Sequence, residues 1–362
     1  MGQDQRTGFQ VAHRAVPVGP AGFLPFDRLN REAEALSSGT VGLAPHATRA
    51  QGAGHRLRPE EPDLLRTCFE RDLDRIKHSR PFRRLAGKCQ VYIDPDDDHL
   101  RTRLTHAIEV AQVAVSIARA VGLDLALTEA AAIGHDCGHG PAGHASEGAL
   151  STFVPGGYHH AVYGADVILE PLNLCLETLD AIREHSWNRP GAQTPEGEVV
   201  AWADRIAYVC HDFEDAVSAG VVSAADLPTS VTEVVGVDRR SQLHHFIIAM
   251  VDTIATTGTV GMRRPEADAL AAFRDFNFDR IYLRPAAVAQ AEQVSLLIGQ
   301  LTDFFIAHPF EMDAPLQAGS TEAVEAAVRW VSGMTDRFAL DLAVHHLGWA
   351  TERLPRGVLT GY

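Results

Sequence analysis

What this sequence lacks narrows it first. Its five cysteines, Cys68, Cys89, Cys137, Cys175 and Cys210, are scattered, odd in number and never spaced as CxxC. That excludes a disulfide framework or a cysteine-rich zinc site and indicates a reduced chain with buried thiols. No uninterrupted apolar run approaches the roughly 18 residues of a membrane span. The opening MGQDQRTGFQVAHRAVPVGPAGFLPF carries neither a basic-then-apolar signal nor a myristoylation pattern. The expectation is a soluble, cytoplasmic protein with no membrane partner. Basic charge is also short: 32 Lys and Arg face 47 Asp and Glu, a formal net charge of -15. This argues against a surface that coats polyanions but leaves room for one local basic pocket. No P-loop and no dinucleotide glycine pattern is present, so phosphate would have to be held by side chains and metal. No internal repeat is visible.

What is there suits a large core. The chain has 362 residues, 46% of them hydrophobic and 22% charged, enough for one big domain or one domain with appendages. Residues 1–59 are rich in Gly, Ala and Pro and read as a loosely ordered arm, with one short helix around Phe26 to Leu36. From Glu60 the texture changes: Leu64, Leu65, Phe69, Leu73 and Ile76 fall at helical spacing. Gln90 to Arg101 has the pattern of a small hairpin around Asp94-Pro95-Asp96-Asp97-Asp98. Helical patterns follow over Leu104–Val121, Leu125–His135, a short stretch from His144, Thr194–Ala219, Ser241–Thr256, Pro265–Phe276, Pro285–Ala307 and Ser320–Leu347. The fold class is therefore all-α: a helical bundle with at most a small β-hairpin. Residues 60–220 carry the chemistry, and 221–362 form a helical region packing on that core.

His135 and Asp136 stand side by side, with His106 upstream and Asp204 downstream. One His-Asp pair means little, because neighbouring helical residues point about 100° apart and a satisfied buried histidine is commoner than a ligand. Here the four residues come from three helical segments, which a bundle can bring together. Asp204 lies beside the apolar stripe Val200, Ala203, Ala207 and Cys210, where a carboxylate needs a partner. Two imidazoles and two carboxylates suit a divalent Mn, Mg, Fe or Co ion with open positions better than a closed structural zinc. That is a hydrolase signal.

A second cluster follows at once: His139, His144 and Glu147. Glu147 is three residues from His144 on a helix, so its carboxylate can orient that imidazole as a general acid or base. The bland alternative is two loop histidines in the Gly138–Gly143 turn. His159 and His160 extend the cluster. A third, basic group comprises Arg71, Arg75, Lys77, His78, Arg80, Arg83, Arg84 and Lys88, with Arg101 and Arg103 just before His106. A charge run is usually a solvated face, yet cations beside a metal site point to a phosphate-bearing substrate.

Four linked stretches, RDLDRIKHSRPFRRLAGKCQVY, RTRLTHAIEVAQVAVSIAR, IGHDCGHGPAGHASEGAL and EGEVVAWADRIAYVCHDFEDAVSAG, resemble the deoxyguanosine-triphosphate triphosphohydrolase family of HD-domain proteins in order and spacing. The resemblance covers about Arg71 to Gly220. It implies that His106, His135, Asp136 and Asp204 are metal ligands. It also implies that His144 with Glu147 is the catalytic pair and that His139 lies close to the phosphates. Arg103 matches a triphosphate contact and Gln90 a residue against the sugar. Arg205, Tyr208 and Asp212 match contacts to phosphate and the deoxyribose 3′-hydroxyl, and His160 a further active-site histidine. The implied partners are deoxynucleoside triphosphates, an allosteric nucleotide and further copies of the chain in a homo-oligomer.

Two departures stand out. Ala142 replaces the aromatic of GHxPFGH, and the FEHNxQ-like segment is degraded around His159 to Tyr163. Nucleobase preference does not carry across them. The implied reaction is hydrolysis of a deoxynucleoside triphosphate, dGTP-like, to the deoxynucleoside and inorganic triphosphate. Another HD phosphohydrolase, a nucleotidase or phosphodiesterase, would use the same ion. A catalytically silent nucleotide or nucleic-acid binder is suggested by the departures and opposed by the intact ligand set. Single-stranded nucleic acid has no feature of its own behind it.

Overall fold

The computed structural model describes residues 42–358, together with the backbone of two antiparallel two-residue strands, β1 (Gly2–Gln3) and β2 (Gln10–Val11). The short helix expected near Phe26 to Leu36 lies outside the described residues. Among those described, fourteen α-helices carry the fold, and it is all-α as the patterning requires.

Local chemistry sets the helix ends. Helix α1 (Cys68–Lys77) begins at Thr67, whose hydroxyl accepts from the Glu70 amide while Glu70 closes the reciprocal capping box. Leu64 and Leu65 precede that start and are exposed, so the helix is shorter than the apolar spacing from Glu60 suggested. After α2 (Arg80–Arg84) comes the segment expected to form a hairpin. It forms no strand pair. Only a Cys89–Thr102 bridge ties its feet, because the aspartate-rich middle offers no apolar face for a sheet to bury.

Helix α3 (Arg103–Val121) starts in a Thr102 capping box and ends at Gly122 in the left-handed conformation. Helix α4 (Leu125–Gly134), capped by Asp124, ends at His135. Next come α5 (His144–Ser151), α6 (His160–Tyr163), α7 (Leu176–Glu184) and α8 (Pro195–Ser218). Thr194 caps α8 and Pro195 occupies its first turn. The C-terminal part supplies α9 (Thr229–Val235), α10 (Arg239–Thr257), α11 (Arg264–Asn277), α12 (Pro285–Ala307), α13 (Thr321–Ser332) and α14 (Asp336–Leu347). The pattern over Ser320–Leu347 is thus two helices, broken at Gly333.

Helix α3 is the structural centre, packed against α4, α8 and α10. Its inward residues Ala107, Val110, Ala114 and Ile117 meet Ala131, Val200, Ala203 and Ala207 in one fully buried cluster. Small side chains at these contacts let the helix axes approach closely, which draws the start of α3, the end of α4 and the middle of α8 into one place. Among the described helices, α3 alone is long and apolar enough to cross a membrane by length and composition. Here it is a core element carrying Arg103 and His106. Helices α10 and α11 join the same core through Phe246 and Phe273. A second cluster, built by α12, α13 and α14, receives Ala149 and Leu150 of α5. The C-terminal helices therefore back the helix that begins with His144.

Candidate metal centre and catalytic pocket

Each of the three central helices contributes to one buried cluster. His106 sits in the first turn of α3, and its Nε2 lies 3.0 Å from Asp204 Oδ1 on α8. His135, at the end of α4, has Nδ1 bonded to the Ala132 carbonyl at 2.6 Å. That contact makes Nδ1 the donor and turns the lone pair of Nε2 inward, 3.3 Å from Asp136 Oδ1 and 3.7 Å from Asp204 Oδ1. The buried His135 Nε2 has no hydrogen-bond partner. An orphaned, inward-facing imidazole nitrogen among two carboxylates and a second imidazole fits a divalent ion well. The carbonyl behind it is the kind of outer contact that fixes a ligating histidine.

Charge in the cluster follows burial and neighbours. Burial alone would raise Asp136, but His135 and Arg103 outweigh it and hold its pKa well below the usual range. Asp204 is likewise held low against burial by His106 and His135. Burial lowers His106, yet the adjacent Asp204 dominates and its pKa is raised. Arg103, itself buried, donates to Asp136 Oδ2 at 2.8 Å. Both carboxylates are thus ionised and ready for a cation.

The second cluster converges on one oxygen. Glu147 Oε1 lies 2.8 Å from His144 Nδ1, 2.8 Å from His160 Nδ1 and 3.5 Å from His139 Nδ1. The His144 and His160 contacts hold Glu147 ionised despite its burial. His144 opens α5 and is exposed, whereas His139 and His160 are buried and stacked with centroids 3.7 Å apart. His139 reaches back with Nε2 to Asp136 Oδ1 at 3.2 Å. Burial, then Arg103 and His160, push its pKa well down, so it is neutral. The turn between the two clusters depends on glycine twice. A side chain on Gly138 would run into the His160 carbonyl and the Gly164 amide. Gly143, at φ 61°, leaves room for the Arg103 guanidinium.

The remaining expected residues make none of the cluster contacts above, although Asp212 interacts electrostatically with His106, and Arg205 and Tyr208 with Asp204. Asp212 is buried on α8, and burial, opposed by a hydrogen bond from the Tyr282 hydroxyl, pushes its pKa up to about 7. Gln90 Oε1, Tyr92 Oη and Asp212 Oδ1 are all buried without partners, which is unspent hydrogen-bonding capacity. Arg205 stacks its guanidinium 3.4 Å from the Trp187 ring centroid. Tyr208 packs against the core, and burial raises its phenol.

The expected basic group is mostly consumed internally. Arg71 and Arg75 pair with Glu60 and Lys77 with Glu129, while Arg101 pairs with Glu109, Glu214 and Asp215. The buried Lys88 donates to the His139 and Ser332 carbonyls. Of that group, Arg103 is the side chain that donates to a residue of the ligand cluster. An acidic chain spends its cations on its own carboxylates, which the linear sequence does not reveal.

Two residues escaped sequence reasoning. Tyr282 closes on Asp212 from a remote segment with no sequence signal. His185 is buried beside His135, with ring centroids 4.9 Å apart. Burial, with His135 and His160 nearby, pushes its pKa down to about 3. A signal for His185 did exist: like His135, it follows the last residue of an apolar-faced helix.

Residues 103–209 match the HD domain and residues 260–345 a phosphohydrolase-associated domain. A relative from Caldanaerobacter subterraneus subsp. tengcongensis is 37% identical over 306 residues, covering 82% of this chain and 90% of the relative. One from Clostridium perfringens (strain 13 / Type A) is 37% identical over 299 residues, covering 78% and 87%. One from Roseobacter denitrificans is 33% identical over 368 residues, covering 82% and 95%. All three bear the name deoxyguanosinetriphosphate triphosphohydrolase-like protein. With this likeness over most of its length, the chain belongs to the deoxyguanosinetriphosphate triphosphohydrolase-like family of HD-domain phosphohydrolases.

Proposed function

We propose that this protein hydrolyses a deoxynucleoside triphosphate to the deoxynucleoside and inorganic triphosphate. The observation that carries the reading is the pairing of an ionised His/Asp cluster, with Arg103 on Asp136, to an exposed histidine held by Glu147 at its rim. A divalent ion on His106, His135, Asp136 and Asp204, with Mn, Mg, Fe and Co all suited to that donor set, would supply Lewis acidity at the α-phosphate and a lowered pKa for the attacking water. Arg103 offsets charge on the phosphates, and the neutral His139 offers them an N–H hydrogen-bond donor. As the water oxygen bonds to phosphorus and releases a proton to solvent, from which His144 is later reprotonated, the bond from phosphorus to the 5′-oxygen breaks. His144, oriented through Nδ1 by Glu147, gives its proton to that departing oxygen.

His160 stands behind His144 on the same carboxylate. Gln90, Tyr208 and Asp212 receive the sugar, and Arg205 the phosphate side. The unpartnered oxygens of Gln90 and Asp212 favour this role, since a sugar hydroxyl can satisfy them. The reading keeps the division into arm, core and helical companion at 1–59, 60–220 and 221–362. It includes a homo-oligomer formed through the C-terminal helices, an activating nucleotide and a cytoplasmic setting that keeps the cysteines reduced. The test is incubation of Mn- or Mg-loaded protein with each of the four deoxynucleoside triphosphates, resolving products by ion exchange. Deoxynucleoside plus intact triphosphate is expected. Orthophosphate or pyrophosphate as the first product would move the reading to another HD phosphohydrolase.

A further inference from the structure

His185 has no part in the mechanism above, yet it is built like a ligand. His135 and His185 each follow the last residue of a helix, α4 and α7, and each has Nδ1 on the carbonyl three residues earlier, Ala132 at 2.6 Å and Ile182 at 2.7 Å. Both therefore leave the lone pair of Nε2 free as an acceptor. His160 is arranged to the same end, because its Nδ1 lies 2.8 Å from the Glu147 carboxylate and Nε2 is left as the acceptor. The result is two acceptor nitrogens, His160 Nε2 and His185 Nε2, facing each other at 3.2 Å. Two lone pairs make no hydrogen bond with each other. Ser186 Oγ reaches the two nitrogens only at 3.5 and 3.4 Å. A cation between them resolves the contact: with metal–nitrogen bonds of about 2.1 Å, neighbouring ligand atoms sit roughly 3.0–3.4 Å apart.

A third donor is at hand. Single ligand atoms of Asp136, His160 and His185 lie within 4.8 Å of one another, as do those of His106, His135 and Asp136. Asp136 is common to both sets. We propose that this protein binds a second divalent transition-metal ion on His160 and His185, bridged to the first centre through Asp136. Carboxylate-bridged ions stand about 3.5–4 Å apart, close enough to share one phosphate. The imidazole-rich donor set favours Mn, Fe or Co over Mg. Glu147 behind His160 and the Ile182 carbonyl behind His185 supply the outer contacts such ligands need.

The charge balance says when the second ion binds best. Two divalent ions and Arg103 would face only Asp136, Asp204 and Glu147, so positive charge remains for an anion to neutralise. Phosphate oxygens meet that need, and inorganic phosphate should tighten the second ion. The proposal does not depend on which phosphate ester is cleaved.

The experiment is equilibrium dialysis of the full chain against Mn, with and without inorganic phosphate, counting ions per chain by elemental analysis and recording the paramagnetic resonance spectrum. The wild type should hold about two ions, with the exchange-coupled spectrum of a pair. His185→Gln and His185→Ala, checked for folding by circular dichroism, should hold about one and lose the coupling. Wild type taking up a single ion in both conditions, with an isolated-ion spectrum, overturns the second site and leaves the first. So does a folded His185 variant that still binds two. No ion at all in the wild type would overturn both centres together.

Discussion

Arg103 gives the sharpest quantitative test of the cluster. Its side chain is 3% exposed and donates at 2.8 Å to Asp136, whose own side chain is 4% exposed. Neither partner is screened by water, so the attraction between them is undiminished by solvent. Arg103→Met removes the donor and leaves a buried carboxylate with one counter-charge fewer, a change that costs about 3–5 kcal/mol in comparable buried pairs. At about 2.1 cal/mol/K per residue, a chain of 362 residues has an unfolding entropy of roughly 0.76 kcal/mol/K. The expected drop in Tm is then about 4–7 °C for the protein in EDTA. A divalent ion on Asp136 supplies the missing positive charge, so the drop in Mn-loaded protein should be less than half as large. Differential scanning calorimetry of wild type and variant, each with EDTA and with Mn, measures both numbers. Equal losses in the two conditions would show that the ion does not bind at Asp136. No loss in EDTA would show that Arg103 is not its counter-charge.

Three further outcomes follow from the same geometry. His144→Ala should leave melting and metal content unchanged, since the side chain is exposed, while lowering kcat by about 100- to 10,000-fold; turnover near wild type removes His144 from the chemistry. Gly138→Ala forces a methyl against the His160 carbonyl and should displace α6, so activity and Tm should fall together, and a crystal structure with an unmoved His160 would contradict the packing. For Asp212, burial pushes the folded pKa up to about 7, above the ordinary unfolded value of 3.8. The folded state therefore holds the extra proton between pH 4 and 7, and the stability this contributes is full below that window and lost as pH rises through about 7. Denaturant titrations of metal-free protein should show Asp212→Asn gaining on wild type across that interval, and a constant difference would refute the buried, protonated carboxyl.

The sequence by itself determined most of the longer helices and the residue types of the buried His/Asp cluster. Thr194-Pro195, Gly122 and the apolar periods act within a turn or two of chain, so they survive in any context and mark α8 and the end of α3. His106, His135, Asp136 and Asp204 were legible because uncompensated polar side chains on apolar helices need a partner wherever they end up. Interactions between distant segments were not legible. The aspartate-rich stretch from Gln90 to Arg101 has local hairpin chemistry but no partner face, and Arg71, Arg75 and Arg101 of the basic group disappear into ion pairs with Glu60, Glu109 and Asp215. His185 and Tyr282 are isolated letters until α7 and the segment before α12 pack beside α4 and α8. Only tertiary structure decides which lone pairs face each other, because that depends on helix separations of a few ångströms that no local pattern encodes.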